Sequence, residues 1–310
     1  MQVIKKAKRS QFKNNDGILC SDIKDDTTLK VTSFYSDAPF PNYQGYENRF
    51  MLEKIVSEND ILNDLKKHIG LGKKFIEVGS GTCQLSLAFA IGTNNLIVAM
   101  DPTKASLKLG KDFAEKNNIN NVVFLNSDIF DDVVEDGFFD VVWCSGVLHH
   151  TKDSKKGFEI ISKWAKDDGL IIIGVYNKIG RLRTNFRQMI YQVLNRSALS
   201  KKIISILDPH LRSGLSEEKR RAWFLDQYEH PVERKHSIDE VMSWFEVNGV
   251  SFLGSIPGQN VHFQPISQMN GEKGTYFSRV LAQVKMLFSS LGGEGGLCLV
   301  VGKKMKSKET

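Results

Sequence analysis

The stretch Lys74–Gln84 reads KFIEVGSGTCQ, and an acid, Asp101, closes the next apolar run. Glu77, Gly79, Ser80 and Gly81 sit where an apolar run stops and a helical pattern opens. Glycines at such a turn permit positive φ and let the backbone approach a ligand closely, and the helix behind them offers unsatisfied N–H groups. Asp101 lies 22 residues beyond Gly79, where a carboxylate can accept both hydroxyls of a ribose. The chemistry implied is the holding of a nucleoside-bearing cofactor. A dinucleotide fingerprint would place a third glycine at position 84 to bring helix and strand together beside a pyrophosphate. That residue is Gln84, which argues against NAD.

The acid-x-Gly-x-Gly turn resembles motif I of class I S-adenosylmethionine-dependent methyltransferases, and further motifs match in order over Lys74–Val175 and more weakly over Ser237–Lys303. The resemblance implies S-adenosylmethionine as cofactor and S-adenosylhomocysteine as product. It implies that Glu77 helps to position the cofactor's amino group, that Gly79–Gly81 make the close turn, and that Asp101 holds the ribose. In FLNSDIF, Asp128 corresponds to the acceptor for the adenine amine, with the Ile129 N–H beside the ring. Ser145–Leu148, at the end of FDVVWCSGVLHH, would line the methionine end. The run Gly-Val-Leu-His-His-Thr is similar to small-molecule methyltransferases of the quinone-biosynthesis type. An adenine amine and ribose hydroxyls are donors, so carboxylates at strand ends suit them through charge-assisted hydrogen bonds.

A sulfonium methyl is strongly electrophilic, so such an enzyme chiefly aligns a nucleophile and excludes water. A general base is needed only where the attacking atom carries a proton of high pKa. The candidates are His149 and His150 after the fourth core strand, and Tyr228 and His230 in DQYEHP. His150 could equally cap backbone carbonyls, and His230 could be a surface residue before Pro231. Asn177, Arg181 and Arg183 follow the fifth core strand and could hold a carboxylate or phosphate; a glycine turn leading into a solvated basic helix is the alternative. Tyr35, Phe40 and Tyr43, before the first core strand, could close over the site as a lid, or pack against the sheet edge.

The elements that must position these groups alternate in the sequence. Apolar runs at Phe75–Val78, Leu96–Met100, Val122–Leu125, Val141–Ser145 and Leu170–Val175 are separated by amphipathic stretches over Thr82–Ile91, Thr103–Asn117 and Lys155–Ala165. That rhythm predicts βαβ units in an α/β fold. The expected architecture is a doubly wound, seven-stranded, mostly parallel sheet of the Rossmann-like methyltransferase type, with a helical insertion after the fifth strand. Ser251–Ile256 and Leu297–Gly302 supply the last two strands, the final one antiparallel and inserted before the sixth. The division expected is an N-terminal extension and helical lid over 1–70, a cofactor-binding core over 71–177, a helical cap over 178–235, and the rest of the sheet over 236–310 with an insertion at 258–294. Residues 1–30 are polar and read as loosely attached. Tyr46–Leu65 and Arg181–Leu207 have helical spacing, and Ser216 reads as the N-cap of a further helix.

Charged residues make up 25% of the chain and hydrophobic ones 41%, which is ordinary for a globular protein. Cys20, Cys83, Cys144 and Cys298 are scattered with no Cys-x-x-Cys pair, so free thiols and no structural metal are expected. The basic N-terminus lacks an apolar h-region, and no apolar run reaches the ~18 residues of a membrane span; a cytoplasmic protein is the expectation. The net charge is +6, but residues 178–221 hold eleven Lys/Arg against three acids. The leading function is methyl transfer to a small acceptor, acidic or lipid-like. An RNA methyltransferase using the basic segment is a second reading, although the segment lacks aromatic interleaving and an Asn/Asp-Pro-Pro-Tyr signature is missing. A non-catalytic cofactor-binding or membrane-surface module is a third. The accepting atom and the oligomeric state stay open at this point.

Overall fold

The computed structural model describes residues 2–37, 39, 48–212, 216–258, 264–288 and 295–306. The first five core strands are β3 (Lys74–Val78), β4 (Leu96–Met100), β5 (Val122–Asn126), β6 (Phe139–Ser145) and β7 (Ala165–Tyr176), with β8 (Val250–Ile256) and β9 (Leu297–Lys304) completing the set. An N-terminal hairpin, β1 (Lys13–Asn15) and β2 (Ile18–Cys20), precedes them. The sheet order is β1-β2-β5-β4-β3-β6-β7-β9-β8. β2 through β7 pair in parallel, whereas β9 runs antiparallel between β7 and β8.

The expected seven-stranded sheet is therefore corrected to nine strands. The α/β frame and the position of the last strand stand, but the N-terminal residues add a hairpin at the β5 edge. Asp16 and Gly17 both take positive φ (52° and 80°) at its tip, the two-residue turn that an Asp-Gly pair favours. β1 is exposed throughout, so no apolar alternation marks it in the sequence. Nor is this segment loosely attached. Val3 and Ile4 are buried, and Lys5 N–H donates to the Val133 carbonyl at 2.8 Å. Burying a Val or Ile side chain contributes about 1.5–3 kcal/mol, enough to hold the segment down.

Helices cover both sheet faces. α1 (Asp26–Asp37), α2 (Arg49–Glu58) and α3 (Asp60–Ile69) precede the core; α4 (Gln84–Ala90), α5 (Lys104–Lys116) and α6 (Ser154–Trp164) are its crossovers. The expected single helix over Tyr46–Leu65 is split, because Asn59 ends α2 and its side chain caps α3 by accepting from Ile61 and Leu62 N–H; Tyr46 lies outside the described residues. One apolar cluster packs on each side of the sheet: Ile76, Val142, Phe158 and Trp164 on one, and Phe75, Phe89, Ile97 and Leu107 on the other.

After β7 come α7 (Leu182–Val193), α8 (Ala198–Leu207), the short α9 (Pro209–Arg212) and α10 (Glu217–Tyr228), and then α11 (Ile238–Val247) and α12 (Tyr276–Lys285). The continuous helix expected over Arg181–Leu207 breaks where Asn195 and Arg196 take positive φ. Side chains there disfavour a helix interior, and Ser197 starts α8 as its N-cap. Tyr191, Ile204, Leu211 and Tyr228 form a small core of their own.

Candidate active site

A cavity of about 480 Å³ opens at the carboxyl ends of β3, β4, β5 and β6, and α1 and α10 lie across it. This is where ligands bind in doubly wound sheets. Of the residues singled out from the sequence, Tyr35, Glu77, Gly79, Ser80, Gly81, Asp101, Asp128, Ile129, Ser145 and His150 line it.

The glycine turn is tied to its neighbour strand. Gly79 and Ser80 N–H both donate to the Met100 carbonyl, at 2.7 and 3.0 Å. Gly79 has φ 71°, and a Cβ there would stand 2.1 Å from Val147 Cγ2, so only glycine fits. Glu77 Oε2 accepts from Ser86 N–H at 2.9 Å and Ser86 Oγ–H at 2.5 Å, anchoring the first turn of α4. Its burial pushes its pKa up from 4.5 to about 8. Asp101 bridges the loops: Oδ2 accepts from Gly81 N–H at 2.8 Å and Oδ1 from Thr103 N–H at 2.7 Å. Burial raises its pKa despite those donors. The Thr103 side chain is a third donor, and a carboxylate with about four acceptor sites still has room for a ligand hydroxyl. Asp128 Oδ1 accepts from Phe130 N–H at 3.0 Å, whereas Oδ2 is buried with no partner. A buried carboxylate oxygen left without a donor is costly, and an amine entering from the cavity would satisfy it. These residues thus fit an adenosine.

The far end is built differently. Tyr35 Oη donates to Asp226 Oδ1 at 2.6 Å, joining α1 to α10 across 191 residues of chain. Tyr176 Oη and Gln227 Nε2 donate to Asp226 Oδ2 at 3.1 and 2.8 Å. Burial and the Asp226 charge push the hydroxyls of Tyr35 and Tyr176 well above the usual phenol range. Thr28, Val31 and Tyr35 of α1, with Trp223, Asp226 and Gln227 of α10, line this end. Sequence reasoning gave Tyr35 alone a role among these. The Thr28–Val31–Tyr35 spacing of one helix face is the signal that was available.

His150 follows β6 and lines the cavity. Its Nδ1 stands 2.6 Å from the Val232 carbonyl; a carbonyl only accepts, so Nδ1 carries the proton and Nε2 is the acceptor. Burial lowers its pKa, keeping the ring neutral. The other base candidates sit elsewhere. His149 is fully buried behind it, its Nδ1 accepting the Tyr176 N–H at 3.3 Å. His230 stacks on His150 with ring centroids 3.6 Å apart and lies outside the lining; burial pushes its pKa down to about 3. Tyr228 donates to Asp208 at 2.7 Å inside the small cap core.

The three residues read as an anion clamp do not form one. Arg181 is completely buried: Nη2 and Nε donate to Glu233 at 2.5 and 3.2 Å, and Nη1 to Gln227 Oε1 at 2.5 Å and to the Gly295 carbonyl at 2.8 Å. Asn177 spends its side chain on Gln283 and on the Ile179 and Gly180 N–H groups. Arg183 is exposed and off the lining. Phe40 and Tyr43 lie outside the described residues.

Residues 69–249, more than half of the chain, match the family model described as "Methyltransferase domain". The chain belongs to that family. It is accordingly a class I methyltransferase domain with S-adenosylmethionine as cofactor, and the turn over Lys74–Gln84 lies within the matched residues. An uncharacterized protein of Synechococcus sp. is 27% identical over 175 residues, covering 51% of this chain and 42% of that protein. The uncharacterized methyltransferase YcgJ of Bacillus subtilis is 24% identical over 123 residues, 39% of this chain and 48% of YcgJ. The matches thus span less than half the length of these curated relatives. In structure the chain is similar to PKMT2 from Rickettsia typhi in complex with AdoHcy, with a TM-score of 0.54, 17% identity, and coverage of 80% of this chain and 54% of that one. That likeness concerns the fold.

Proposed function

We propose that this methyltransferase acts on a small, uncharged or lipid-like acceptor, held between α1 and α10 opposite the glycine turn. The observation that carries this reading is the charge of the cavity. Its lining includes Glu77, Asp101, Asp128 and Asp226 and, among the described residues, no Lys or Arg. The three aspartates, and Glu77 once a bound cation draws off its proton, suit a cationic methyl donor and disfavour an anionic acceptor. The acidic branch of the expectation loses its support with Arg181 locked onto Glu233.

On this reading Asp101 takes the ribose hydroxyls, Asp128 Oδ2 the adenine amine, and the Gly79–Gly81 backbone passes beside the methionine moiety, with Glu77 and Ser145 at that end. When bound, S-adenosylmethionine supplies an electrophilic methyl group. His150 Nε2 orients the acceptor and takes its proton where the accepting atom carries one. His149 and His230 hold the His150 ring rather than meet the acceptor. α1 serves as the lid of the N-terminal extension, latched by the Tyr35–Asp226 hydrogen bond, which excludes water from the transfer.

Calorimetric titration with S-adenosylhomocysteine, followed by a screen of neutral and acidic metabolite fractions for methylated product, tests the proposal. Product drawn only from the acidic fraction would overturn the charge argument.

A further inference from the structure

The cap turns apolar side chains outward. On α7, Leu182, Phe186, Met189 and Val193 are 51, 59, 52 and 72% exposed. Their spacing of four, three and four residues puts them on one face, while Thr184 and Tyr191 are buried on the other. α8 repeats the arrangement with Leu199 and Ile206, 62 and 60% exposed. α12 adds Phe277 and Leu281, and Phe288 follows it, 80% exposed. α7 packs against α8, and its start approaches the end of α12, since a Cβ on Gly180, just before α7, would meet the Met286 side chain just beyond α12. Scattered exposed apolar residues need no explanation, but aligned stripes mark an interaction surface.

Charge identifies the occupant. No acid occurs from Gly169 to Leu207, and none within α12. Arg183, Arg196 and Lys202 are exposed beside the stripes, and none forms an ion pair among the described residues. An apolar stripe rimmed by unpaired cations is the pattern of a helix lying in the interface of an anionic membrane. α7 has 12 residues, so it is about 18 Å long and too short to cross a hydrocarbon core of about 30 Å. Among the described residues no helix is long and apolar enough to span.

We infer that the outer face of α7, α8 and α12 docks onto an anionic lipid bilayer, with the apolar stripes in the acyl boundary and Arg183, Arg196 and Lys202 at the headgroups. This surface is independent of the acceptor's identity, because none of its residues lines the cavity.

The test is co-sedimentation of the full chain with phosphatidylcholine vesicles, with and without phosphatidylglycerol, at low and high salt. The wild type should pellet with anionic vesicles, far less with neutral ones, and less at high salt. The triple variant Arg183→Glu, Arg196→Glu, Lys202→Glu should weaken binding on the order of a hundredfold. Phe186→Ser with Val193→Ser should weaken it even at low salt. S-adenosylhomocysteine titration and thermal melts check that the variants stay folded; if the reversals disturb folding, the glutamine triple variant replaces them and should also lose binding. Absence of binding to anionic vesicles, or equal binding by wild type and variants, overturns the inference. So does a reversible dimer in sedimentation velocity that Phe186→Ser dissolves while vesicles recruit nothing, since the face would then join two copies of this chain.

Discussion

The two ends of the cavity solve opposite problems. At the glycine turn, backbone amides and carboxylates are locked to one another, yet acceptor capacity is left over on the Asp101 carboxylate and on the orphan Asp128 Oδ2. At the cap, donors and acceptors are engaged in a closed chain from Tyr35 through Asp226 and Gln227 to Arg181 and Glu233. One end is prepared to receive donors from a ligand. The other satisfies itself and shapes a chamber. Polar groups at the first should therefore control cofactor affinity, and those at the second should control the acceptor.

The sharpest way to break this contrast is Gly79→Val. The side chain would enter the space of Val147 and hold a β-branched residue at φ 71°. Strain and overpacking together come to about 3 kcal/mol or more. S-adenosylhomocysteine affinity should fall at least about a hundredfold by calorimetry, while the cap network stays intact.

Asp128→Asn is next. The amide keeps the Phe130 contact but can turn a donor toward the amine, so affinity should drop about ten- to a hundredfold. Thermal stability without cofactor should hold or rise. If the variant binds S-adenosylhomocysteine as tightly as the wild type, the orphan oxygen has another purpose.

The contrast also explains what could be read from the chain. The cofactor end is assembled from strand ends and the turns directly after them, so Glu77, Gly79, Asp101 and Asp128 each sit in a short local pattern. The cap end is assembled from residues far apart, and Tyr35 meets Asp226 only because α1 and α10 fold across the same cavity. Nothing in DQYEHP distinguishes the carboxylate that lines the chamber from the tyrosine that fills a separate core. The N-terminal hairpin was hidden in the same way, since an edge strand with three exposed polar residues lacks the alternation that marks a strand. Arg181 misled for a related reason: a cation near a rim looks like a clamp until its partner Glu233, 52 positions away, is seen.

At the cap the matching experiment is Tyr35→Phe. One donor to Asp226 is lost, a change worth about 0.5–1.5 kcal/mol. KM for the acceptor should rise several-fold and S-adenosylhomocysteine affinity should not move. An equal loss of both would mean that the two ends do not act separately.

The remaining experiment concerns the pH response of Glu77, within the cofactor end. Its pKa is raised from 4.5 to about 8 by burial. Below about pH 4.5 folded and unfolded chains both hold this proton. Between there and pH 8 the unfolded chain releases it while the folded one keeps it, so the stability it contributes is lost as pH climbs through the folded value. Glu77→Gln still offers an oxygen to Ser86 and carries no such dependence. Its melting temperature should gain on the wild type across that window, by about 2–4 °C for each kcal/mol recovered. A bound cation beside Glu77 favours the ionised carboxylate, so cofactor binding near neutral pH should release a proton. Calorimetry in buffers of different ionisation heat measures that release directly. Identical heats in every buffer, with a wild-type melting curve as flat in pH as the variant's, would place Glu77 ionised from the start and make it only the anchor of α4.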